Sequence, residues 1–323
     1  MKTSQKITEF IQKNKQASGN ELADYLGISD RAVRKQLSSL LKSGTLTKIG
    51  KPPKVFYLLK KDELVKKTVE IDKKIQKIID NNFIIITPAG EKIAGLSGFL
   101  YWCDKTSQEP IKTAADYAKT IAKFAKHKKD GFINGLSKFK NTFNDDVFLD
   151  KVFYLDFYSI ERFGKTRLGQ LLLYGKQSGN KKLIKEIIKE IKPKIDRLIK
   201  KESIDGVCFI PWTVKREVQF MRELEKGLDL NIKSLKIEKA KTDIIVPQKT
   251  LSKLKDRIEN AGKTMIVTEK GSYKKILLID DAVGSGATLN EVARQIKNKG
   301  IAKKVIGLSI TGSFKGFDVI SEV

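Results

Sequence analysis

Two cysteines and one histidine in 323 residues leave little scope for metal or redox chemistry. Cys103 and Cys208 are too few for a disulfide framework, and no metal-ligand spacing surrounds them, so both are expected as buried core thiols. His127 lies in the lysine-rich stretch "KFAKHKKD" and is expected to be solvated. A zinc site and a histidine-based triad are accordingly not expected. Long apolar runs are also missing. The longest are "LLLY" and "FIIIT", far short of the roughly 20 residues that cross a bilayer. The opening "MKTSQKITEF" lacks the apolar core of a leader peptide. The expectation is a cytoplasmic protein with no membrane partner.

What the chain has in excess is positive charge. Lysine and arginine number 64 against 38 acidic residues, a formal net charge of +26. Such a surface attracts polyanions and phosphorylated ligands. Lysine is nevertheless spread over almost every candidate helix, so part of this charge is simply a solvated surface. A content of 40% hydrophobic and 32% charged residues suits a soluble globular chain, and its length suits two or three domains.

Residues 1–60 form the first expected domain. "SQKITEFIQKN" places Ile7, Phe10 and Ile11 on one helical face. "SGNELADYLGIS" gives a short helix, with Leu22, Ala23 and Leu26 inward, closed by Gly27. Ser29 then caps "DRAVRKQLSSLLKSG", in which Val33, Leu37, Leu40 and Leu41 recur at helical spacing until Gly44 stops it. Two short strands follow around the tip "GKPPK". This order is that of a winged helix-turn-helix. The outward residues Asp30, Arg31, Arg34, Lys35 and Ser38 can reach phosphates or base edges of double-stranded DNA, and Lys48, Lys51 and Lys54 on the wing suit its backbone. Winged helices also dock proteins and form dimers; the basic outward face favours DNA.

Residues 61–151 are expected to be a helical connecting or adaptor region. Residues 61–81 carry an apolar stripe of Leu64, Val65, Val69, Ile75, Ile78 and Ile79, suited to a connecting or dimerising helix. "EPIKTAADYAKTIAKFAKHKK" reads as an amphipathic helix with Pro110 in its first turn. No chemical motif stands between 82 and 150. A packed adaptor and a ligand lid are the two readings open there.

From 152 to 323, strands alternate with helices. "IDGVCFIPWT", "SLKIEKA", "TMIVTEK", "KKILLID" and "KKVIGLSIT" read as strands, and "LGQLLLYGKQSGNKKLIKEIIKEIKPKIDRLIKK" as a helix broken at "SGN". The fold class is therefore α/β, a C-terminal doubly wound parallel sheet behind a winged helix and a helical middle region. Ligands of such sheets lie beyond the carboxyl ends of the strands, where "IPWT" and "DDAVGSGAT" both fall.

The second of these stretches carries the chemistry. A buried strand ending in Asp280–Asp281 offers two carboxylates that can accept hydrogen bonds from a vicinal diol such as that of a ribose. Gly284, Ser285, Gly286, Ala287 and Thr288 follow, small enough for backbone N–H groups to converge at a helix start, with the Ser285 and Thr288 hydroxyls as further donors. A diol site beside a phosphate cradle fits a ribose 5-phosphate. The Gly-Lys-Ser/Thr ending of a P-loop is absent. So is the third small residue of a dinucleotide fold, whose acidic residue follows its glycines instead of preceding them.

"ILLIDDAVGSGATL" resembles the phosphoribosyl-pyrophosphate (PRPP) motif of type I phosphoribosyltransferases, and the wider arrangement over about residues 155–315 is similar to their ComF-like branch. "LLLYGKQSGNKKL" falls where ComF-like proteins have a leucine-rich lysine–tyrosine–glycine segment, "FIPWTVKR" at their Val-Pro loop, and "PQKTLSKLKDRIEN" at their Gln…Leu…Arg…Asn stretch. Two features depart from that branch. Its zinc-ribbon cysteines are absent, and its Arg-Gly-Phe-Asn-Gln run is replaced by "QFMREL", which puts the second-substrate site and catalysis in doubt. The resemblance implies that Asp280 and Asp281 hold the ribose diol, help place Mg²⁺-pyrophosphate and are the catalytic pair. It implies that residues 284–288 hold the 5′-phosphate, and that Pro211, Trp212 and Thr213, with Lys215 or Arg216 nearby, meet pyrophosphate. The excursion 241–262, with Lys249, Lys253 and Arg257, is either a lid over the site or a solvated loop. Phe314 and Phe317 either stack on a base or belong to a terminal strand.

Three functions stay open at this point: a DNA-binding regulator responsive to PRPP or a nucleotide, an active phosphoribosyltransferase, and a nucleic-acid-handling accessory in DNA uptake or defence. By analogy with winged-helix regulators, a homodimer is expected.

Overall fold

The computed structural model describes residues 2–59, 69–144, 146–212, 216–240, 243–244 and 246–313. The chain divides into two compact units, residues 1–70 with 87–91, and residues 71–86 with 92–323.

The first unit contains α1 (Thr3–Asn14), β1 (Ala17–Ser18), α2 (Gly19–Leu26), α3 (Asp30–Lys42), β2 (Leu46–Lys51) and β3 (Lys54–Leu59). The helix signals act where the sequence places them. Ser18 Oγ accepts from the Glu21 N–H at 3.2 Å while Glu21 Oε2 accepts from the Ser18 N–H at 2.6 Å, a reciprocal cap. Gly27 closes α2 in the left-handed region at φ 63°, and Ser29 Oγ accepts from Ala32 N–H to open α3. Ile7, Ile11, Leu22, Val33, Leu37 and Leu46 close into one core. The strands pair antiparallel in the order β1-β3-β2. Gly50 has φ 87°, and a Cβ there would strike the Lys54 carbonyl, so the wing turn requires glycine.

The second unit begins with α4 (Lys73–Asn82), β4 (Ile84–Ile86), β5 (Lys92–Ala94), α5 (Gly95–Lys105) and α6 (Pro110–Ala125). Glu109 caps α6 by accepting from the Ile111 and Lys112 N–H groups, with Pro110 at its first position as expected. Residues 60–68, including Leu64 and Val65 of the predicted connecting helix, lie outside the described residues. Next come β6 (Lys128–Lys129), β7 (Phe132–Asn134), α7 (Leu136–Phe143), β8 (Lys151–Phe157), α8 (Arg167–Ser178), α9 (Lys181–Glu202) and β9 (Gly206–Phe209). The chain continues through α10 (Phe220–Leu228), β10 (Lys233–Ser234), β11 (Ile237–Lys239), α11 (Leu254–Thr264), β12 (Met265–Val267), β13 (Tyr273–Val283), α12 (Ala287–Asn298) and β14 (Ala302–Gly312).

A seven-stranded sheet runs in the order β10-β9-β13-β14-β8-β7-β6. The first five strands are parallel and the last two antiparallel, so the sheet is mixed, not purely parallel. β12 is not in it. It pairs antiparallel with β11 in a separate two-stranded ribbon. β13 shows why the centre is stable. Ile276 and Leu278 enter the core that contains Leu289, Val292 and Ile296 of α12, while Leu277 and Ile279 enter the one that contains Leu171, Ile187 and Leu224 of α8, α9 and α10. A strand buried on both faces reads as a continuous apolar run. Each such side chain contributes about 1.5–3 kcal/mol of burial. Both cysteines are buried core residues, Cys103 on α5 and Cys208 on β9. No helix among the described residues is long and apolar enough to cross a membrane.

The parallel strands β9, β13, β14 and β8 bring their carboxyl ends to one edge of the sheet.

Candidate functional site

At that edge β13 runs further than expected. It pairs with β14 through Ala282↔Thr311 and Val283↔Gly312, so the two aspartates lie in its last four residues instead of ending it. Ala282 and Val283 continue the apolar run, which is why the ladder does not stop at the acids. The chain then turns through Gly284–Gly286 into α12. Gly286 has φ 81°, and a Cβ there would strike the ring of Phe139 on α7. Ser285 Oγ accepts from the Ala287 N–H at 3.3 Å. The first-turn N–H groups of α12 and the positive end of its dipole face this loop. Gly286→Ala is expected to lower the stability of this unit by about 2 kcal/mol or more, because it combines left-handed strain with overpacking. The two tryptophans, Trp102 and Trp212, both belong to this unit, so urea unfolding followed by their fluorescence measures it.

Asp281 is buried at 8% exposure, and its Oδ2 accepts a charge-assisted bond from Lys176 Nζ on α8. Asp280 Oδ1 accepts from the Asp281 N–H at 2.8 Å. Burial first, then the Asp281 charge, push the Asp280 carboxyl up to about 7, against the opposing pull of Lys176 and of that N–H bond. The site thus holds two adjacent acids, one matched by a lysine and the other shared with a proton near neutrality.

These groups line one cavity of about 200 Å³ together with Pro211, Trp212, Arg216, Gln248, Arg257 and all five residues of the 284–288 loop. Pro211 and Trp212 follow β9, and Trp212 is 42% exposed. Thr213 and Lys215 lie outside the described residues. Arg216 Nη1 makes a long, 3.4 Å bond to the Gln177 carbonyl at the end of α8, and Val218 packs where a Cβ on Gly179 would go. Of the three suggested lid residues, Arg257 reaches the cavity and Lys253 is not among its lining residues. The Lys249 side chain lies outside the described residues, as do Phe314 and Phe317. The wall is fixed by Gln248 Nε2, which donates to the Arg257 carbonyl at 2.9 Å and to Asn260 Oδ1 at 3.0 Å, and by Arg257 Nε donating to the Leu251 carbonyl at 2.7 Å.

Lys176, Gln219, Phe220, Met221, Gln248 and Met265 also line the cavity, and sequence reasoning assigns them no role. Lys176 has a sequence signal, a lysine beside a tyrosine–glycine pair at the end of an apolar helix, and Gln248 has one in the stretch "PQKTLSKLKDRIEN".

In the first unit, Arg31, Arg34, Lys35 and Ser38 are exposed along one face of α3, with Arg34 Nη2 at 3.8 Å from Asp30 Oδ2. Lys48 and Lys54 on the wing are exposed, and the Lys51 side chain is outside the described residues.

The HTH domain family matches residues 3–55. The N-terminal unit is accordingly a helix-turn-helix domain. No curated protein matches the chain. A crystal structure of a hypoxanthine phosphoribosyltransferase from Staphylococcus aureus aligns with 43% of this chain and 82% of its own, at 16% identity and a TM-score of 0.26.

Proposed function

We propose that the second unit is a type I phosphoribosyltransferase-like module of ComF-like kind that binds PRPP, or a nucleotide sharing its ribose 5-phosphate. In this reading the winged helix binds double-stranded DNA with an affinity set by that ligand, and the protein is a cytoplasmic, homodimeric regulator of transcription. The observation that carries the reading is the convergence of Asp280, Asp281, Lys176 and the Gly284–Thr288 bed on one cavity. Diol acceptors, a cation and a phosphate cradle are what a ribose 5-phosphate carrying further phosphates requires.

The roles follow from chemistry. Asp280 and Asp281 accept from the ribose hydroxyls. Residues 284–288 enclose the 5′-phosphate with backbone N–H groups and the Ser285 and Thr288 hydroxyls. Pro211, Trp212 and Arg216 face a diphosphate, with Thr213 and Lys215 next to them in sequence, and Arg257 belongs to the covering wall, with Lys249 and Lys253 near it in sequence. The adjacent carboxylates also fit Mg²⁺, which binds through one or two carboxylates plus phosphate oxygens and water. When bound, the ion offsets charge on the diphosphate.

An active transferase is the alternative, with Asp280 and Asp281 as its catalytic pair. The wall at Gln219–Met221 favours the regulator. Phe220 and Met221 are apolar, and the Gln219 Nε2 is already donating to the Arg216 carbonyl at 3.1 Å. Pyrophosphate release across a panel of bases decides between them.

Coupling is tested by fluorescence anisotropy on the DNA upstream of the protein's own gene, with and without PRPP and Mg²⁺. A change of about 5- to 150-fold in affinity is expected, and equal affinity at every PRPP concentration defeats the regulator. In the same assay, replacing Arg31, Arg34 and Lys35 by alanine is expected to weaken binding at the preferred sequence by about 1–3 kcal/mol for each side chain that reads a base.

A further inference from the structure

The 22-residue helix α9 turns two different faces to its surroundings. Ile184, Ile187, Ile191, Ile195 and Leu198 are buried in the core. At 100° per residue, Lys182, Lys185, Lys189, Arg197 and Lys200 lie on the opposite face, within about 60° of its midline. All five are exposed. They extend over about 27 Å of helix at 1.5 Å per residue.

Glu186 and Asp196 fall on the same face, about 40° from its midline, but the acidic residues of α9 are each paired with a cation outside the row. Glu186 bonds Lys92 and Arg167, Glu190 bonds Arg167, Asp196 pairs with Lys192, and Glu202 bonds Lys151 and Lys275. Lys181 and Lys201 at the two ends pair with Glu223 and Asp130. Arg197 helps to lower the Asp130 carboxyl pKa, but the hydrogen bond there belongs to Lys201. Among the described residues no ion pair reaches any of the five stripe cations. Like charges at i,i+4, as at Lys185 and Lys189, destabilise an isolated helix, so the row has an electrostatic cost that a polyanion lying along it would relieve.

We propose that this face is a second, sequence-independent contact for the backbone of double-stranded DNA. The chemistry of the face separates the possible polyanions. Membrane-surface helices insert apolar side chains beside their lysines, whereas the apolar face of α9 is buried in protein. Single-stranded nucleic acid is gripped by stacking its bases on aromatic residues, and α9 has none. A duplex offers phosphates with no need for stacking, about one charge per 1.7 Å of axis. The contact is independent of the ligand cavity.

The test uses the full chain and a labelled duplex of random sequence, with anisotropy read from 50 to 300 mM NaCl. The variant Lys182→Gln, Lys185→Gln, Lys189→Gln, Arg197→Gln and Lys200→Gln changes only exposed side chains, and circular dichroism checks that it remains folded. Each phosphate neutralised contributes about 0.9 to the slope of log affinity against log salt. The slope is therefore expected to fall by about 3 to 4.5. A second pair of proteins places the same five substitutions on the Arg31→Ala, Arg34→Ala, Lys35→Ala background. There, weak duplex binding at 50 mM salt is expected to persist without the glutamines and to disappear with them, which separates this contact from the helix-turn-helix. An unchanged slope overturns the proposal. So does loss of binding to vesicles containing anionic phospholipid, in the five-glutamine variant, with duplex binding intact.

Discussion

The double substitution Asp280→Asn, Asp281→Asn is expected to weaken binding of PRPP with Mg²⁺ by at least about 100-fold in calorimetry. Hydrogen bonds to a charged partner contribute about 1.5–3 kcal/mol each, so losing two corresponds to about 3–6 kcal/mol. At 1.4 kcal/mol per factor of ten this is about 100- to 10,000-fold. The result cannot be mistaken for unfolding. Asparagine keeps the shape of each side chain and removes the repulsion between neighbouring acids that helps to push Asp280 up. Lys176, whose side chain is 31% exposed, loses its partner but keeps access to water. A melting temperature within a few degrees of the parent's, with the binding heat gone, is the expected pair of observations. Heat unchanged by the double substitution would sink the assignment of this cavity.

The second large effect is in pH. The Asp280 carboxyl, raised to about 7 by burial and by Asp281, holds its proton over much of the range below neutrality. Accepting from a diol and facing a metal ion both call for the ionised form. Affinity is therefore expected to rise with pH through about 7 and then level off, with a proton released on binding. Two pH units below 7 corresponds to about 100-fold weaker binding. The ligand's own phosphate titrates near 6 and adds to the profile. Asp280→Asn removes the protein's part, so the difference between the two profiles isolates it. Calorimetry in two buffers of unlike ionisation heat counts the proton. A parent profile that superimposes on that of the variant excludes Asp280 as the titrating group. Stability without ligand runs the other way. A carboxyl whose folded pKa is raised contributes most when protonated, so this contribution is present below its unfolded value near 3.9 and is lost as pH rises through about 7.

The parts of the molecule legible in sequence are those that lie contiguously. The helix, glycine turn, capped helix and wing of the first unit are each set by local signals, and Ser18, Gly27, Ser29 and Gly50 act where they stand. The acid pair and its bed of small residues are likewise consecutive. Lys176 is different, because it is 105 residues from Asp281 and only the packing of α8 across the strand ends joins them. Gln248 reaches the cavity from the 241–262 excursion, where no periodicity marks an inward face, and Met265 from the short strand that follows it. The short apolar run Met265–Val267 reads as a sheet strand, yet among the described residues β12 pairs with β11, since three residues carry no information about which edge they join. β6 and β7 escape notice for a similar reason: two and three residues are too few for alternation to show.

The two cysteines have a practical consequence. Burial pushes the Cys103 thiol up to about 11 and the Cys208 thiol higher still, so neither offers a reactive thiolate at neutral pH while the sheet is closed. Residues 1–70 contain no sulfhydryl. Alkylation is thus a clock for the opening of the C-terminal module alone, and mass tagging under increasing denaturant would time that event without interference from the N-terminal one.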